Sequence, residues 1–524
     1  MAQAAISVPG QKPGGAVKTG WIVAGLLLGI FIASIDNTIV ATSIATIVGD
    51  LGGFDQFVWV TSAYLVASLA GTPIFGKLSD MYGRKRFFVF GLIMFMLGSI
   101  LCGTAQSIVQ LSLYRAIQGI GGGALVPIAF TIVFDTFPPE KRGKMTGLLG
   151  AVFGMSSLFG PLLGAYITQY FSWRWVFYIN VPLGIVSLLL ILFFYRESLQ
   201  RARQQIDWAG AGLLVGAVVS LMFALELGGG TYAWTSLPIV LLLIGFVVMS
   251  IAFVLVERRA QEPIVSFPMF RQRLFAGSVA AGFFYGAAFI TVTLYIPIYV
   301  QGVTGGTAVN SGLTLLPMTV GSVLAAMVGG ILVNKMTFRR IMVSSAIIFT
   351  VGMILLSQLR ADTPHWLLVL DLIITGFGIG FSFSVLGISG IQEFDVRQRG
   401  AANSTLSFVR SLGMSVGVTI FGLVQHSLFS ARIQEQAGGS LPSGMDLSTI
   451  DPRALLSEQM QSQIPAQVLD IIRQALTESV SGTFGWAIVP AICALVSVAL
   501  MGSARAVTSS RASDKPHPTS ETLH

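Results

Sequence analysis

The sequence predicts an all-α integral membrane protein of fourteen transmembrane helices, arranged as two six-helix halves with two helices inserted between them. Three observations carry this. The 524 residues are 54% hydrophobic and only 10% charged, with a mean hydropathy of +0.79, which leaves too few polar groups for a water-facing surface and makes lipid the solvent. Apolar runs of about 18 to 25 residues recur along the chain between charged or Gly/Pro-rich breaks. Two loop motifs of the front half reappear in the back half at a nearly constant offset.

The runs lie at 21–47, 57–76, 87–105, 107–134, 145–169, 174–195, 208–228, 237–256, 275–300, 309–333, 341–359, 365–390, 401–429 and 482–503. The first follows a polar start and is too long for the apolar part of a cleavable signal, so it reads as a span. Between the second and third lies GKLSDMYGRKR, Gly76 to Arg86. Pro73 and Gly76 close one run, Asp80 and Gly83 make a turn, and Lys77, Arg84, Lys85 and Arg86 resist crossing a bilayer, which fixes a cytoplasmic loop.

With the amino terminus inside, the inside segments hold 24 of the 31 Lys and Arg residues. The outside loops hold 5 (Arg174, Arg360, Arg432, Arg453, Arg473) and the spans 2 (Arg115, Arg410). One missed span would invert every later loop, so the split supports the count and puts both termini in the cytoplasm. A cysteine replacing Ser440 is therefore expected to react with an impermeant thiol reagent applied to intact cells, and one replacing Ser198 to stay unlabelled. Labelling at Ser198 from outside would overturn this topology.

The repeat marks the domain organisation. Gly76 to Arg84 is echoed by Gly330, Leu332, Arg339 and Arg340, and Phe134-Asp135 with Arg142-Gly143 by Phe394-Asp395 with Arg399-Gly400, the two later glycines lying 257 positions apart. This divides the chain into a first half (1–200), two inserted helices (201–260) and a second half (261–524) with a long outside loop at 430–481. Within that loop, Ala466 to Val480 places Val468, Ile472, Ala475 and Leu476 on one helical face, as in an interfacial helix.

Several classes are excluded. The net charge of +8 comes from short basic clusters between spans, a topology signal and not a nucleic-acid surface. Gly71 to Leu78 has the glycine and lysine spacing of a phosphate loop, but lacks its terminal Ser/Thr and follows a membrane helix. Gly119 to Ala124, inside span four, reads as small-residue helix packing, as do Gly282/Gly286, Gly376/Gly380 and Gly413/Gly417. Cys102 and Cys493 have neither a disulfide framework nor metal spacing. No nucleophile, base and metal arrangement can be assembled, so the chain is not read as an enzyme, and no metal site or cofactor is expected.

Ionisable groups inside spans are the informative exceptions, because one at a helix centre costs about 2.5–3.5 kcal/mol on insertion scales. Asp36 lies roughly 22 Å from the inner end of span one, and Arg115 roughly 12 Å below the outer start of span four, at the α-helical rise. They therefore share the outer half. Asp36 is readable as a protonatable carboxylate or as half of a static ion pair that positions two helices. Gln118 faces the same way as Arg115, either to bind substrate or to satisfy the arginine's partner. Glu226 is near an outer span end, and Asp371 and Arg410 stand in the second half, to pair or to line the cavity. Gly160 and Pro161 remove bulk and a backbone bond from span five, permitting a bend and close contact with a helix of the other half. Aromatic side chains on central spans, including Phe153, Tyr285, Tyr295 and Phe381, either line an apolar substrate cavity or pack.

These motifs together resemble the major facilitator superfamily, and within it the fourteen-span drug:proton antiporters of the EmrB and QacA types, especially the multidrug-efflux members of Bacillus. The residues carrying the resemblance are Gly76–Arg86, Leu111–Gly123, Gly160–Gly164, Ile35–Val40 and Trp173–Gly184, with Asp207-Trp208 opening span seven. It implies the major facilitator fold, and Gly76, Asp80, Gly83 and Arg84 as an inner gate. It implies Asp36 as the membrane carboxylate, Arg115 tuning proton coupling, and Gly160/Pro161 as the bend associated with antiport. Ala45 departs from the family by standing where a proline is usual, and the second-half loop lacks a match to Asp80. The expected function is proton-driven efflux of amphipathic or cationic drug-like compounds by a monomer in the bacterial inner membrane. The alternatives are export of one metabolite or siderophore, or a receptor with a non-transporting fold.

Overall fold

The computed structural model describes residues 15–52, 58–197, 206–229, 231–306, 308–437 and 466–505. Ser198, Ser440 and residues 438–465 of the expected outside loop lie outside them. The regular structure of the described residues is helical. The first group of helices is α1 (Gly15–Leu51), α2 (Val58–Tyr82), α3 (Arg84–Gly103), α4 (Ile108–Thr136), α5 (Pro139–Tyr170), the short α6 (Trp175–Tyr178) and α7 (Asn180–Phe194). Then come α8 (Trp208–Leu227), α9 (Leu237–Glu257) and a 3-10 turn (Phe267–Arg271). The last group is α10 (Arg273–Gly302), α11 (Ala308–Leu332), α12 (Phe338–Leu356), α13 (His365–Ile391), α14 (Arg399–Ala437) and α15 (Ala466–Ala499).

Thirteen membrane-crossing candidates, one of them α6 and α7 taken together, are long and apolar enough. The remaining long helix, α2, has 25 residues and carries Lys77 and Asp80 in its C-terminal turns. Side-chain caps close some helix starts: Asp207 accepts from Gly210 N at 2.8 Å and Ser107 from Gln110 N at 3.3 Å.

Burial follows the chain order. One apolar cluster draws on residues 22–195, and another on 269–501 together with Phe134. A third cluster joins α2 to the inserted helices and α14, through Leu69, Ala70, Leu214, Phe253 and Ile264, with Phe408 and Leu412 against it. Small residues let the backbones meet. A Cβ on Gly119 would stand 2.4 Å from Tyr64 O, on Gly376 2.0 Å from Met318 O, and on Gly413 2.2 Å from Phe283 O, distances only glycine permits. Van der Waals contact between backbones replaces the hydrophobic drive that lipid does not supply.

Two expectations are corrected. Ala466–Val480 is not a separate interfacial helix, because it runs unbroken into the last span as α15. Val468, Ile472, Ala475 and Leu476 are buried in the second-half core. Helix α14 continues to Ala437, Arg432 Nε lies 3.0 Å from Glu478, and the apolar face finds protein instead of headgroups. Gly160, secondly, does not meet the other half. A Cβ there would lie 1.9 Å from the Thr38 hydroxyl and on Gly164 2.3 Å from that of Thr42, so this stretch packs α5 on α1 within one half. Helix α5 continues through Pro161, and the Thr38 hydroxyl donates to Ser156 O at 3.0 Å. Contact across the halves comes earlier on α5, where a Gly143 Cβ would stand 2.0 Å from Gly330 O.

Candidate functional site: a seam between the halves and a sealed polar network

The Gly76–Arg86 stretch ends α2 and begins α3. Gly83 makes the corner at φ 111°, a left-handed value that disfavours any side chain, and a Cβ there would strike the Glu197 carboxylate at 2.4 Å. The corner turns Asp80 and Arg84 toward the second half. Asp80 accepts from Gly400 N at 2.9 Å and Ala401 N at 2.8 Å. These are first-turn N–H groups of α14, which have no partner within their own helix and carry the positive end of its dipole. Arg84 Nη2 donates to Asp80 at 3.2 Å and to Val396 O at 2.7 Å. Arg84 also pairs with Asp135, which Arg399 reaches at 3.0 Å.

Glycine allows the approach, since a Gly76 Cβ would overlap Ser404 and stand 2.8 Å from Gly400 O. Asn403 completes the seam by donating to Pro127 O at 2.8 Å. The loop's other cations are held outside it: Lys77 pairs with Glu262 of the linker at 2.6 Å, and Lys85 donates to Leu192 O and Tyr195 O, each at 2.7 Å, at the end of α7. The seam's hydrogen bonds join the two halves at this end.

The second constellation lies wholly in the first half. Asp36 of α1 and Arg115 of α4 form an ion pair, and both are fully buried. Asp36 also accepts from Gln118 Nε2 at 2.8 Å and Asn180 Nδ2 at 2.9 Å. Gln118 donates to Ser99 at 2.8 Å and accepts from Arg115 at 2.6 Å. Arg115 Nε donates to Val60 O at 3.1 Å and its guanidinium stands 4.4 Å from the Tyr64 ring centroid. Every carboxylate oxygen of Asp36 thus has a donor, as a charge held away from water requires.

The structure brings Asp36, Arg115 and Gln118 together and leaves Glu226 apart, exposed on α8. Of the aromatic candidates, Tyr285, Tyr295 and Phe381 are buried in the second-half core. Tyr285 bonds Ser345 at 2.9 Å, Phe381 stands edge-on to Phe377, and Phe153 keeps accessible surface. Sequence reasoning missed Asn180, Ser99, Asn403, Asp135 and Glu197 as partners. Asn180 was within reach, because it lies in Trp173–Gly184. In the same stretch Trp173 and Arg174 donate to Asp50 at 2.8 and 3.0 Å. These bonds hold that carboxyl below the usual range and pin the end of α1.

Residues 26–418 match the family model of the Major Facilitator Superfamily. The chain is 52% identical over 501 residues to multidrug resistance protein 3 of Bacillus subtilis (strain 168), covering 95% of this chain and 98% of that protein. It is 32% identical over 496 residues to multidrug transporter protein MdtP of the same organism, covering 90% and 91%. Among solved structures it resembles the proton:xylose symporter XylE, with a TM-score of 0.58 at 13% identity, over 90% of this chain and 95% of that one. That likeness speaks for the fold alone.

Proposed function

The chain belongs to the major facilitator superfamily, of transporters and not enzymes, and from that premise we propose that it exports several amphipathic drug-like compounds in exchange for inward-moving protons. It works by alternating access around a site between the halves, as a fourteen-span monomer of the bacterial cell membrane with both termini cytoplasmic. The proton gradient is the driving force and no cofactor is needed. The breadth of substrate rests on the relatives named for multidrug resistance and transport.

The observation that carries alternating access is the seam at the Gly76–Arg86 end. Its bonds run from side chains of one half to backbone groups and charges of the other, so they can part as a set while each half keeps its own core. With this end inside, a closed seam here bars passage to the cytoplasm. Coupling is assigned to the buried Asp36–Arg115 network, where protonation changes the charge balance of a sealed site.

The test is efflux from proteoliposomes holding the full chain. Ethidium and a panel of unrelated dyes are expected to move against their gradients when a pH difference is imposed, and to stop when it is collapsed. Movement of one compound only would replace this reading by that of a dedicated exporter. No movement of any compound would favour a receptor.

A further inference from the structure

Two basic side chains lie deep inside spans, and their settings differ. Arg115 is enclosed and paired with Asp36. Arg410, on α14, is only partly buried and forms no ion pair among the described residues. One nitrogen donates to Ser382 O at 3.1 Å, and the guanidinium stands 5.1 Å from the Phe383 ring centroid. The hydroxyl of Ser382 is itself buried without a hydrogen-bond partner. A guanidinium that the protein leaves uncompensated in mid-membrane, beside an unsatisfied hydroxyl, is set to receive an anion.

Its place in the fold puts it in the path of a substrate. Asn403, seven residues earlier on α14, bonds Pro127 of the other half in the closed seam. Two helical turns outward, roughly 10 Å, Arg410 stands above that floor. Phe383, against which it lies, touches the first half, since a Cβ on Gly150 would be 3.5 Å from its Cβ. The repeat adds the opposite wall: the offset of 257 relating Gly143 to Gly400 relates Phe153 of α5 to Arg410. One half thus offers an aromatic face where the other offers a cation. The span carboxylate of the first half, Asp36, is sealed and already neutralised, and Asp371 is buried higher on α13.

We propose that Arg410, with Ser382 and Phe383, binds the carboxylate of an aromatic amphipathic substrate whose ring lies toward Phe153, so that the exported compounds include aromatic carboxylates and not cations alone. This rests on the efflux reading above and names a substrate class for it.

The test uses the purified full chain in lipid nanodiscs at pH 7.5, with 1-naphthoate and 1-naphthylmethylammonium as probes of equal shape and opposite charge. The wild type is expected to prefer the carboxylate at least tenfold in equilibrium binding. R410Q brings the ratio of the two affinities near unity. R410K, which keeps a charge without the fork, lies between.

Equal affinity of the wild type for both probes overturns the proposal, and so does an unchanged ratio in R410Q. Should R410Q not insert, the wild-type ratio and R410K decide. Gradient-driven ethidium efflux by a protein that does not prefer naphthoate keeps the efflux reading and removes this one. Arg410-dependent naphthoate binding in a protein that drives no efflux does the reverse.

Discussion

Replacing Asp36 by Asn is expected to abolish uphill dye efflux driven by a pH gradient in proteoliposomes, while equilibrium binding of a neutral substrate persists. The amide keeps the size and loses both the titration and the charge. Coupling requires that proton and drug favour different states of the carrier, because a ligand with equal affinity for all states shifts nothing. Asp36 suits that role by position: it is buried, three side chains converge on it, and two of them, Gln118 and Asn180, remain hydrogen-bonding partners for a neutral acid.

The same geometry fits a static pair that only holds α1 against α4, and a second variant separates the two. D36N alone leaves Arg115 charged and uncompensated, a loss of about 3–5 kcal/mol for a broken buried pair, which should appear as a lowered melting temperature. D36N/R115Q removes both charges and is expected to recover stability without recovering pH-driven efflux. If the double variant pumps as the wild type does, the pair is structural, and the proton travels through another group, with Glu226 or Asp371 next in line.

Replacing Asp80 by Asn is expected to slow transport at least tenfold without preventing insertion. Asp80 accepts two N–H bonds from α14 and one from Arg84. An amide presents an NH2 group to donors on one side, so one bond across the seam is lost and the others lose their charge assistance. Hydrogen bonds to charged groups are worth about 1.5–3 kcal/mol each, and roughly 1.4 kcal/mol shifts an equilibrium tenfold, so the closed inner gate loses at least that factor. Single-turnover efflux in D80N liposomes, with protein per vesicle matched by quantitative blot, reads the effect. Wild-type turnover would remove Asp80 from the gate.

The sequence by itself determined the helical membrane fold, because the length of an apolar run and the cost of a charge in lipid are local properties that need no neighbour. It also singled out charged residues that the structure joins in buried ion pairs, Asp36 and Arg115 by depth, and Asp80 and Arg84 by their place in a basic turn, since a charge near lipid stands out in a chain that has few. Partners were a different matter. That Asp80 caps α14, that Asp135 lies between Arg84 and Arg399, and that Asn180 reaches Asp36 depend on helices brought together from distant parts of the chain.

Tertiary structure also decided what each glycine faces. Gly160 and Gly143 lie on the same helix, yet one meets Thr38 of its own half and the other Gly330 of the opposite half, because α5 turns a different side to each along its length. It decided as well that the apolar face of Ala466–Val480 is covered by protein, and that among the described residues Arg115 has an ion-pair partner while Arg410 has none. Composition places a charge in the membrane, but only packing supplies or withholds its counter-charge.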